Sequence, residues 1–450
     1  MSEPVTDQQH GSNESPAPPV LKRELGIVGA TMMGLGAIVG TGVFVSIGIA
    51  AGVAGPAVII AIAIAALVAA CNALSSAQLA ANHPVSGGTY EYGYAYLKPW
   101  MGFTAGWMFL CAKTASAATA ALGFAGYLLN ITGWNKISTA VVTTLAVAIV
   151  IVLTLLVLSG IRRSNMVNIV IVSITLLSLL VFIAAGVPLA LREGSKNLMD
   201  FADTRAEGAF WPALLHATAL MFVAYTGYGR IATLGEEVRE PRSTIPRAII
   251  LVLVISMLLY MSVGTVAIAA VGASTLGSVT QDQVAPLEVA AQRFSWPAIR
   301  WIVAVGAITA MLGVLLNLLL GLSRVLLAMG RRSDMPKAVS RLNKSRTTPY
   351  IAVIVVGAAI AGITLIGDVK TTWSFSAFTV LMYYAITNMA ALALPDEQRL
   401  YPRWIAWCGL AACVFLAFWV SWPIWLTGIG LIALGLLWHT ARRRYMHSVP

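Results

Sequence analysis

The sequence contains few charged side chains. Its 450 residues include 29 Lys and Arg and 18 Asp and Glu, or 10% of the chain, whereas about a quarter of the residues in a soluble globular domain are charged. Hydrophobic residues make up 58%. A chain with so little polar surface cannot form a water-soluble globule, so the sequence predicts an integral membrane protein.

Cysteine is also scarce, and all four cysteines lie within apolar stretches: Cys71, Cys111, Cys408 and Cys413. A disulfide framework is therefore not expected. The sequence also lacks a metal-ligand cluster, a carboxylate pair within an apolar stretch and a nucleophile with a neighbouring base. We therefore expect neither an enzyme nor a bound cofactor or metal.

Long uncharged stretches, in contrast, run through the whole sequence. About 20 apolar residues are needed to cross the hydrocarbon core of a bilayer, so these stretches predict an all-α integral membrane fold with twelve transmembrane helices, called spans 1 to 12. The spans are two in 25–90, one in 98–136, one each in 137–161, 164–191, 208–229, 248–281, 301–323, 347–367 and 371–395, and two in 404–441.

The positive residues predict the orientation of these spans. Lys and Arg accumulate in cytoplasmic loops, and with the N-terminus inside most of them fall in cytoplasmic segments. Both termini are therefore expected to be cytoplasmic. The net charge of +11 is explained by this bias and by attraction to anionic lipid, and nucleic acid is not an expected partner.

Span 1 contains the stretch GLGAIVGTGVF, with glycines at Gly34, Gly36, Gly40 and Gly42. Glycine often forms a packing face in membrane helices, which is one interpretation. However, Gly36, Gly40 and Gly42 do not share one helical face, because two residues turn a helix by about 200°. The segment Gly40-Thr41-Gly42 is therefore interpreted as a break in the helix.

A broken helix exposes unpaired backbone N–H groups at the start of its second half and unpaired C=O groups at the end of its first half. In a membrane such groups are tolerated where they line a polar cavity, and their partial charges suit a carboxylate and an ammonium group respectively. Span 6 has a comparable interruption in VAYTGYGRI (residues 223–231), with Gly227 and Gly229. Because five spans separate the two breaks, the second half of the protein is expected to be inverted, as in many transporters.

The sequence resembles amino-acid permeases of the amino acid-polyamine-organocation (APC) superfamily. The resemblance is carried by GAIVGTGVF in span 1, PVSGGTYEYGY at 84–94, Gly106-Trp107, EEVREPRSTIPRAI at 236–249 and SRVLLAMGRRSDMP at 323–336. It implies two inverted five-helix repeats, spans 1–5 and 6–10, and two peripheral helices. The expected segments are a disordered cytoplasmic tail at 1–20, the repeats at 21–191 and 208–395, spans 11 and 12 at 402–441, and a cytoplasmic C-terminus at 442–450.

The resemblance also implies roles for individual residues. The carboxylate of an amino-acid substrate would bind the amides around Gly40, Thr41 and Gly42. Its ammonium group would lie near the carbonyls of the two breaks, and the substrate-binding residues would also include Ile38, Val223, Ala224, Thr226 and Gly227. Tyr90 and Tyr94 would belong to a cytoplasmic loop that moves during gating, although interfacial anchoring explains them equally well.

Lys113 is the charged residue nearest the middle of a span. A lysine there costs about 2.5 to 3.5 kcal/mol on insertion scales and usually faces a cavity. Two interpretations of Lys113 follow: a role in transport or coupling, and a structural role in which it binds the carbonyls of the broken helices. Proton-coupled relatives often carry a lysine on span 5, where this chain has Thr175, so either Lys113 takes over proton coupling or the protein is an exchanger or uniporter.

Every acidic residue can be placed at a helix end, in a loop or in a tail. A cationic substrate would lack a buried counter-ion, which favours neutral amino acids as substrates. The alternatives are a cationic amino-acid or polyamine permease or exchanger and a non-transporting membrane subunit. Residues 131–136 contain no cysteine, so no covalently linked partner subunit is expected. The expected partners are the lipid bilayer, an amino acid, and a coupling proton or an exchanged amino acid.

Overall fold

A computed structural model describes residues 26–83, 87–133, 138–159, 165–199, 209–232, 238–281, 285–343 and 348–448. The expected tail at 1–20 lies outside the described residues, as do 84–86 and 236–237 of the quoted motifs and the last two residues of the chain. The described residues form α-helices joined by short turns, without a β-strand.

Seventeen α-helices follow one another along the described part of the chain. They are α1 (Ile27–Ile38), α2 (Ile47–Ala54), α3 (Val58–Asn82), α4 (Thr89–Tyr96), α5 (Pro99–Ile131), α6 (Thr139–Leu158), α7 (Asn165–Met199), α8 (Phe210–Tyr225), α9 (Gly229–Ala232), α10 (Pro241–Val271), α11 (Ala273–Gln281), α12 (Pro286–Ala291), α13 (Ile299–Arg331), α14 (Tyr350–Ile366), α15 (Val369–Leu392), α16 (Arg403–Ala417) and α17 (Trp422–Ser448).

Eight helical stretches in the described residues are long and apolar enough to cross a membrane, with the run from Ile27 to Asn82 counted as one. α14 and α16 are shorter apolar helices. The long helices differ in enclosure: 78% of the apolar window of α5 is buried, but only 17% of that of α17. α5 thus lies inside the bundle, whereas α17 presents apolar side chains outward, as lipid contact requires. The predicted all-α membrane class is confirmed.

Both predicted interruptions are present in the structure. α1 ends at Ile38, and after a turn at 39–40 the chain forms one π-helical turn, Gly42–Ser46, that continues into α2. α8 ends at Tyr225, a 3₁₀ turn covers Thr226–Tyr228, and α9 begins at Gly229. Neither helix crosses the bundle as a continuous rod.

The polypeptide reverses direction between α2 and α3 at a glycine. Gly55 has φ = 59°, a left-handed conformation that glycine adopts without a steric penalty. Pro56 follows at the start of a short 3₁₀ turn, where its fixed φ is suitable and its missing N–H is not needed. This turn separates the broken first helix from α3, as the predicted division of 25–90 into two spans requires.

Candidate functional site

The two helix breaks lie directly against each other at the centre of the bundle. A Cβ atom built on Gly42 would lie 2.9 Å from the Cβ of Ala224 and 2.8 Å from the hydroxyl of Tyr260. One built on Gly227 would lie 2.4 Å from the carbonyl carbon and oxygen of Ala37. Glycine at these two positions therefore brings the backbones of the two breaks into contact, and a larger residue would separate them.

A small cavity of about 40 Å³ lies between the breaks. Because a buried water needs roughly 10–15 Å³ of such space, it has room for about three waters. α1, α5, α8 and the two breaks form most of its wall, with α13 and α15 completing it. The lining residues are Ala37, Ile38, Thr41, Gly42, Lys113, Ser116, Val223, Ala224, Thr226, Gly227, Val314, Leu318 and Trp373.

Lys113 is the charged residue in this lining, and no acidic side chain contributes to it. Its Nζ donates a hydrogen bond of 2.8 Å to Oγ1 of Thr226, whose hydroxyl in turn donates to the carbonyl of Val223 at 2.8 Å. Thr226 lies at the C-terminal end of α8, where the helix dipole and free carbonyls favour a positive charge. The lysine ammonium thus lies at the second break, beside the carbonyls predicted to bind a substrate ammonium.

Thr41 provides a hydroxyl on the other side of the cavity. The residue is 3% exposed, and its Oγ1 has no hydrogen-bond partner among the described residues. It immediately precedes the π-helical turn, at a helix start where backbone N–H groups lack intrahelical acceptors. An unpaired hydroxyl beside such N–H groups can donate to a carboxylate.

The carbonyl oxygens at the breaks are less free than the sequence predicts. Tyr260, on α10, lies with its hydroxyl 2.8 Å from the Ile38 oxygen and 3.3 Å from the Ala224 oxygen. The hydroxyl of Tyr384 donates to the carbonyl oxygen of Thr226 at 3.2 Å. A carbonyl oxygen has two lone pairs, so these oxygens keep the capacity to accept a second hydrogen bond.

Four predicted residues do not line the cavity: Gly40, Thr175, and the tyrosines Tyr90 and Tyr94, which are described below. Gly40 packs against α13, where a Cβ on it would lie 2.5 Å from a methyl group of Val314, and its carbonyl accepts from the N–H groups of Val43 and Phe44. Thr175 is buried in α7 and its hydroxyl donates to the carbonyl of Ile171 at 2.8 Å. This local bond is the usual arrangement of a threonine in a membrane helix.

Five lining residues are absent from the sequence-based site: Ala37, Ser116, Val314, Leu318 and Trp373. Ser116 could have been found, because it follows Lys113 by three residues and therefore lies on the same face of α5. The indole of Trp373 donates to the carbonyl of Leu220 at 3.0 Å, which fixes its ring against α8. No local pattern distinguishes Trp373 from other tryptophans in the sequence.

Tyr90 and Tyr94 lie away from the cavity, on α4. Their hydroxyls donate to the same carboxylate oxygen, Oδ2 of Asp334, at 2.8 and 2.6 Å. Arg332 pairs with Glu91 and stacks over the ring of Tyr94, with 4.5 Å between guanidinium carbon and ring centroid. Burial, followed by the negative charge of Asp334, raises the pKa of Tyr90. We call these five residues the tyrosine latch; it joins α4 to the end of α13.

The opposite end of the bundle is covered by α11 and α12, here called the α11–α12 cover. A Cβ on Gly52 of α2 would lie 2.8 Å from the Cα of Gly277 of α11, so the two backbones touch. The hydroxyl of Tyr127 donates to the Phe44 carbonyl at 2.9 Å and accepts from the Leu287 N–H at 3.3 Å. The π-helical turn, α2 and the cover are thus directly connected.

A broken helix pair around a buried polar cavity in an all-helical membrane chain matches a known protein family. A sequence model described as "amino acid permease" matches residues 29–444. The chain belongs to the amino acid permease family. The family assignment made from the motifs is therefore confirmed.

Individual relatives cover nearly the whole chain. An uncharacterised transporter of Mycobacterium tuberculosis is 37% identical over 426 residues, 95% of this chain and 92% of the relative. The branched-chain amino acid permease of Bacillus subtilis is 29% identical over 92% of each chain. The vacuolar cationic amino acid transporter 4 of Arabidopsis thaliana is 26% identical over 84% of this permease and 64% of the relative.

Proposed function

We propose that this permease is a secondary active transporter that moves neutral amino acids across the cytoplasmic membrane by alternating access. The contact between the two helix breaks around a polar cavity carries the proposal. Their opposed backbone ends offer hydrogen-bond donors and acceptors within a few ångströms, as a zwitterion requires. The substrate supplies both charges, so no acidic side chain is needed in the lining.

The proposed substrate carboxylate binds the backbone amides at Gly40, Thr41 and Gly42 together with the unpaired hydroxyl of Thr41. The ammonium group binds the carbonyls of Ile38, Val223, Ala224 and Thr226. Because Lys113 already lies beside Thr226, an incoming ammonium group must displace the lysine or find it neutral. Substrate binding and the state of Lys113 are thereby linked.

Alternating access is supported by the closure of both ends of the bundle. The tyrosine latch closes one end and the α11–α12 cover the other, and the cavity of about 40 Å³ between the breaks is too small for an amino acid with a side chain. Binding therefore requires that one end opens and the cavity widens. Closure behind the substrate would then precede opening at the other end.

The proposed topology has twelve spans in two inverted repeats. The run Ile27–Asn82 provides two spans because it turns at Gly55, α8 with α9 forms the broken sixth span, and α14 and α16 complete the set. The repeats would comprise 21–191 and 208–395, followed by peripheral spans at 402–441. Both termini and the tyrosine latch would be cytoplasmic, and the α11–α12 cover external.

Neutral substrates are favoured over cationic ones. An ammonium or guanidinium group in the substrate side chain would lie near Lys113 without an acidic partner in the lining. The branched-chain permease of B. subtilis agrees with this preference, whereas the name of the A. thaliana relative supports the alternative of a cationic amino-acid permease. The two alternatives are distinguished at Lys113, because its positive charge would repel a cationic substrate side chain but not a neutral one.

The function is tested by counterflow in liposomes. Purified protein is reconstituted with an unlabelled neutral amino acid inside, and entry of the same radiolabelled amino acid is measured across a panel that includes leucine, alanine and arginine. We expect labelled neutral amino acids to accumulate transiently and arginine not to. A folded protein that gives no counterflow with any of the panel would refute transport, and counterflow with arginine alone would favour the cationic alternative.

A further inference from the structure

The α11–α12 cover contains a fully buried carboxylate. Glu288, on α12, is 0% exposed, although its position between two spans predicts a solvent-facing loop. Neither of its carboxylate oxygens makes a hydrogen bond of normal geometry with the described residues, although the side-chain amide of Asn130 on α5 lies close enough to act on the carboxylate as a donor. Burial away from water disfavours the ionised carboxylate and favours its protonated form.

The charged and polar groups facing Glu288 do not compensate for this burial. Nε of Arg300, on α13, lies 3.9 Å from the carboxylate, and the arginine side chain is 33% exposed. Burial raises the pKa of Glu288, while Asn130 and Arg300 oppose this effect more weakly. Tyr127 faces the carboxylate from α5. α11 and the π-helical turn contain no titratable side chain, and Tyr260 of α10 is bonded at the breaks.

The backbone next to Glu288 is connected to the first helix break. The N–H of Leu287 donates to the hydroxyl of Tyr127, and that hydroxyl donates to the carbonyl of Phe44 in the π-helical turn. A displacement of α12 therefore changes the support of the segment that begins at Gly42. A hydrogen-bonded path of three residues, Leu287, Tyr127 and Phe44, thus joins the backbone beside Glu288 to the first helix break.

We propose that Glu288 is a proton-binding site of this transporter, which exchanges its proton with the external solution when the α11–α12 cover is open and holds the proton, shielded from water, when the cover is closed. Opening hydrates the carboxylate, which then releases its proton to water as hydronium. Closing requires the reverse step, in which the carboxylate oxygen binds one proton before it is buried. Acidic external solution therefore favours the closed cover. This inference rests on the proposed function for its direction across the membrane.

The first test needs no transport. The thermal stability of the purified protein is measured from about pH 5 to about pH 8, for the wild type, Glu288→Gln and the control Glu193→Gln, which removes an exposed carboxylate of α7. Because the folded state holds the proton more tightly than the unfolded state, its stabilising effect is lost as the pH rises through the folded pKa. We expect the wild type and Glu193→Gln to lose stability over this range, and Glu288→Gln to keep it.

Arg300→Gln provides a second variant for the case in which Glu288→Gln fails to fold. Removing the nearby positive charge should move the pH at which stability is lost upward. If thermal stability depends on pH in the same way in the wild type, Glu288→Gln and Arg300→Gln, the proposal is overturned. The pair Glu288 and Arg300 would then be a structural ion pair.

The second test uses counterflow with the external pH varied at constant internal pH. We expect the exchange rate of the wild type and Glu193→Gln to depend on external pH and that of Glu288→Gln to be flat while exchange persists. Equal pH dependence in all three would overturn the proton site but leave the transport function intact. Absence of exchange in every protein would refute the function alone, because the stability profiles still decide whether Glu288 binds a proton.

Discussion

The hydroxyl of Tyr260 donates a hydrogen bond of 2.8 Å to the carbonyl oxygen of Ile38, the last residue of α1. The same hydroxyl lies 3.3 Å from the carbonyl oxygen of Ala224. One phenol therefore contacts the carbonyls of both helix breaks. This side chain partly satisfies carbonyls that would otherwise lack a donor in the membrane.

Replacing Tyr260 by Phe should lower the stability of the substrate-free protein. The change leaves two buried carbonyls without this donor, which costs about 1–3 kcal/mol. A bound amino acid restores a donor, so the increase in melting temperature on adding a saturating neutral amino acid should be larger than in the wild type. The control is Tyr225→Phe, because that hydroxyl donates to the carbonyl of Ile62 at 3.3 Å, away from the cavity. Equal ligand-induced shifts in all three proteins would contradict the role given to Tyr260.

Replacing Thr41 by Val should weaken substrate binding while preserving the fold. Valine keeps the shape of threonine and removes a hydroxyl that has no hydrogen-bond partner among the residues that the structure describes. Loss of one hydrogen bond to a carboxylate corresponds to about 1.5–3 kcal/mol, or roughly 10- to 150-fold in Kd, measured by calorimetry in detergent. Thr31→Val is the matched control, since Thr31 is also buried in this helix and unpaired but outside the cavity. Equal losses in both variants would contradict the assignment.

The positions of the helix breaks could be predicted because the local sequence determines them. Glycines that do not share a helical face predicted both interruptions, and the structure places them at 39–41 and 226–228. Tyr260 could not be predicted, because its contact with Ile38 joins residues 222 positions apart and depends on how α10 packs. The burial of Glu288 could not be predicted either, because a glutamate between two spans predicts a hydrated loop, and it is the packing of α12 against α10, α11 and α13 that removes the water.

The close approach at the glycines has a practical consequence for mutagenesis. Substituting Gly42 would test substrate crowding only if the residue served the ligand alone, but a Cβ there would also meet Ala224 and Tyr260. A failed Gly42→Val variant therefore cannot separate binding from packing. The unpaired hydroxyl of Thr41 is the sharper probe of the same segment.

Replacing Lys113 by Gln should relax the selection against cationic amino acids. Two positive charges about 5 Å apart repel by about 3 kcal/mol at an effective dielectric constant of 20, or roughly 100-fold in affinity. We expect arginine to compete with labelled leucine uptake in Lys113→Gln but not in the wild type. Lys98→Gln is the control, because Lys98 precedes the same helix and does not line the cavity. If arginine competes no better in Lys113→Gln than in the wild type, Lys113 has only a structural role at Thr226.

Replacing Asp334 by Ala should release the tyrosine latch. The change removes the carboxylate that accepts from both Tyr90 and Tyr94, so the state open towards α4 becomes more populated. The measurement is the rate at which a charged thiol reagent labels Ser116→Cys in inside-out vesicles. Protein that keeps Ser116 is labelled in parallel, and its rate gives the background from the native cysteines. Asp396→Ala is the control, as its side chain is 75% exposed and pairs with Arg399 and Arg403. Unchanged labelling would contradict the gating role.

The contact between Gly52 and Gly277 limits how this permease can move. Their main chains meet without an intervening layer of side chains. α2 and α11 therefore cannot slide over each other as helices separated by apolar side chains can. A tilt of α2 that widens the space beside Thr41 must carry α11 with it. The α11–α12 cover and the second half of the first span would then move together, so a ligand that changes the central cavity would also change the position of the cover.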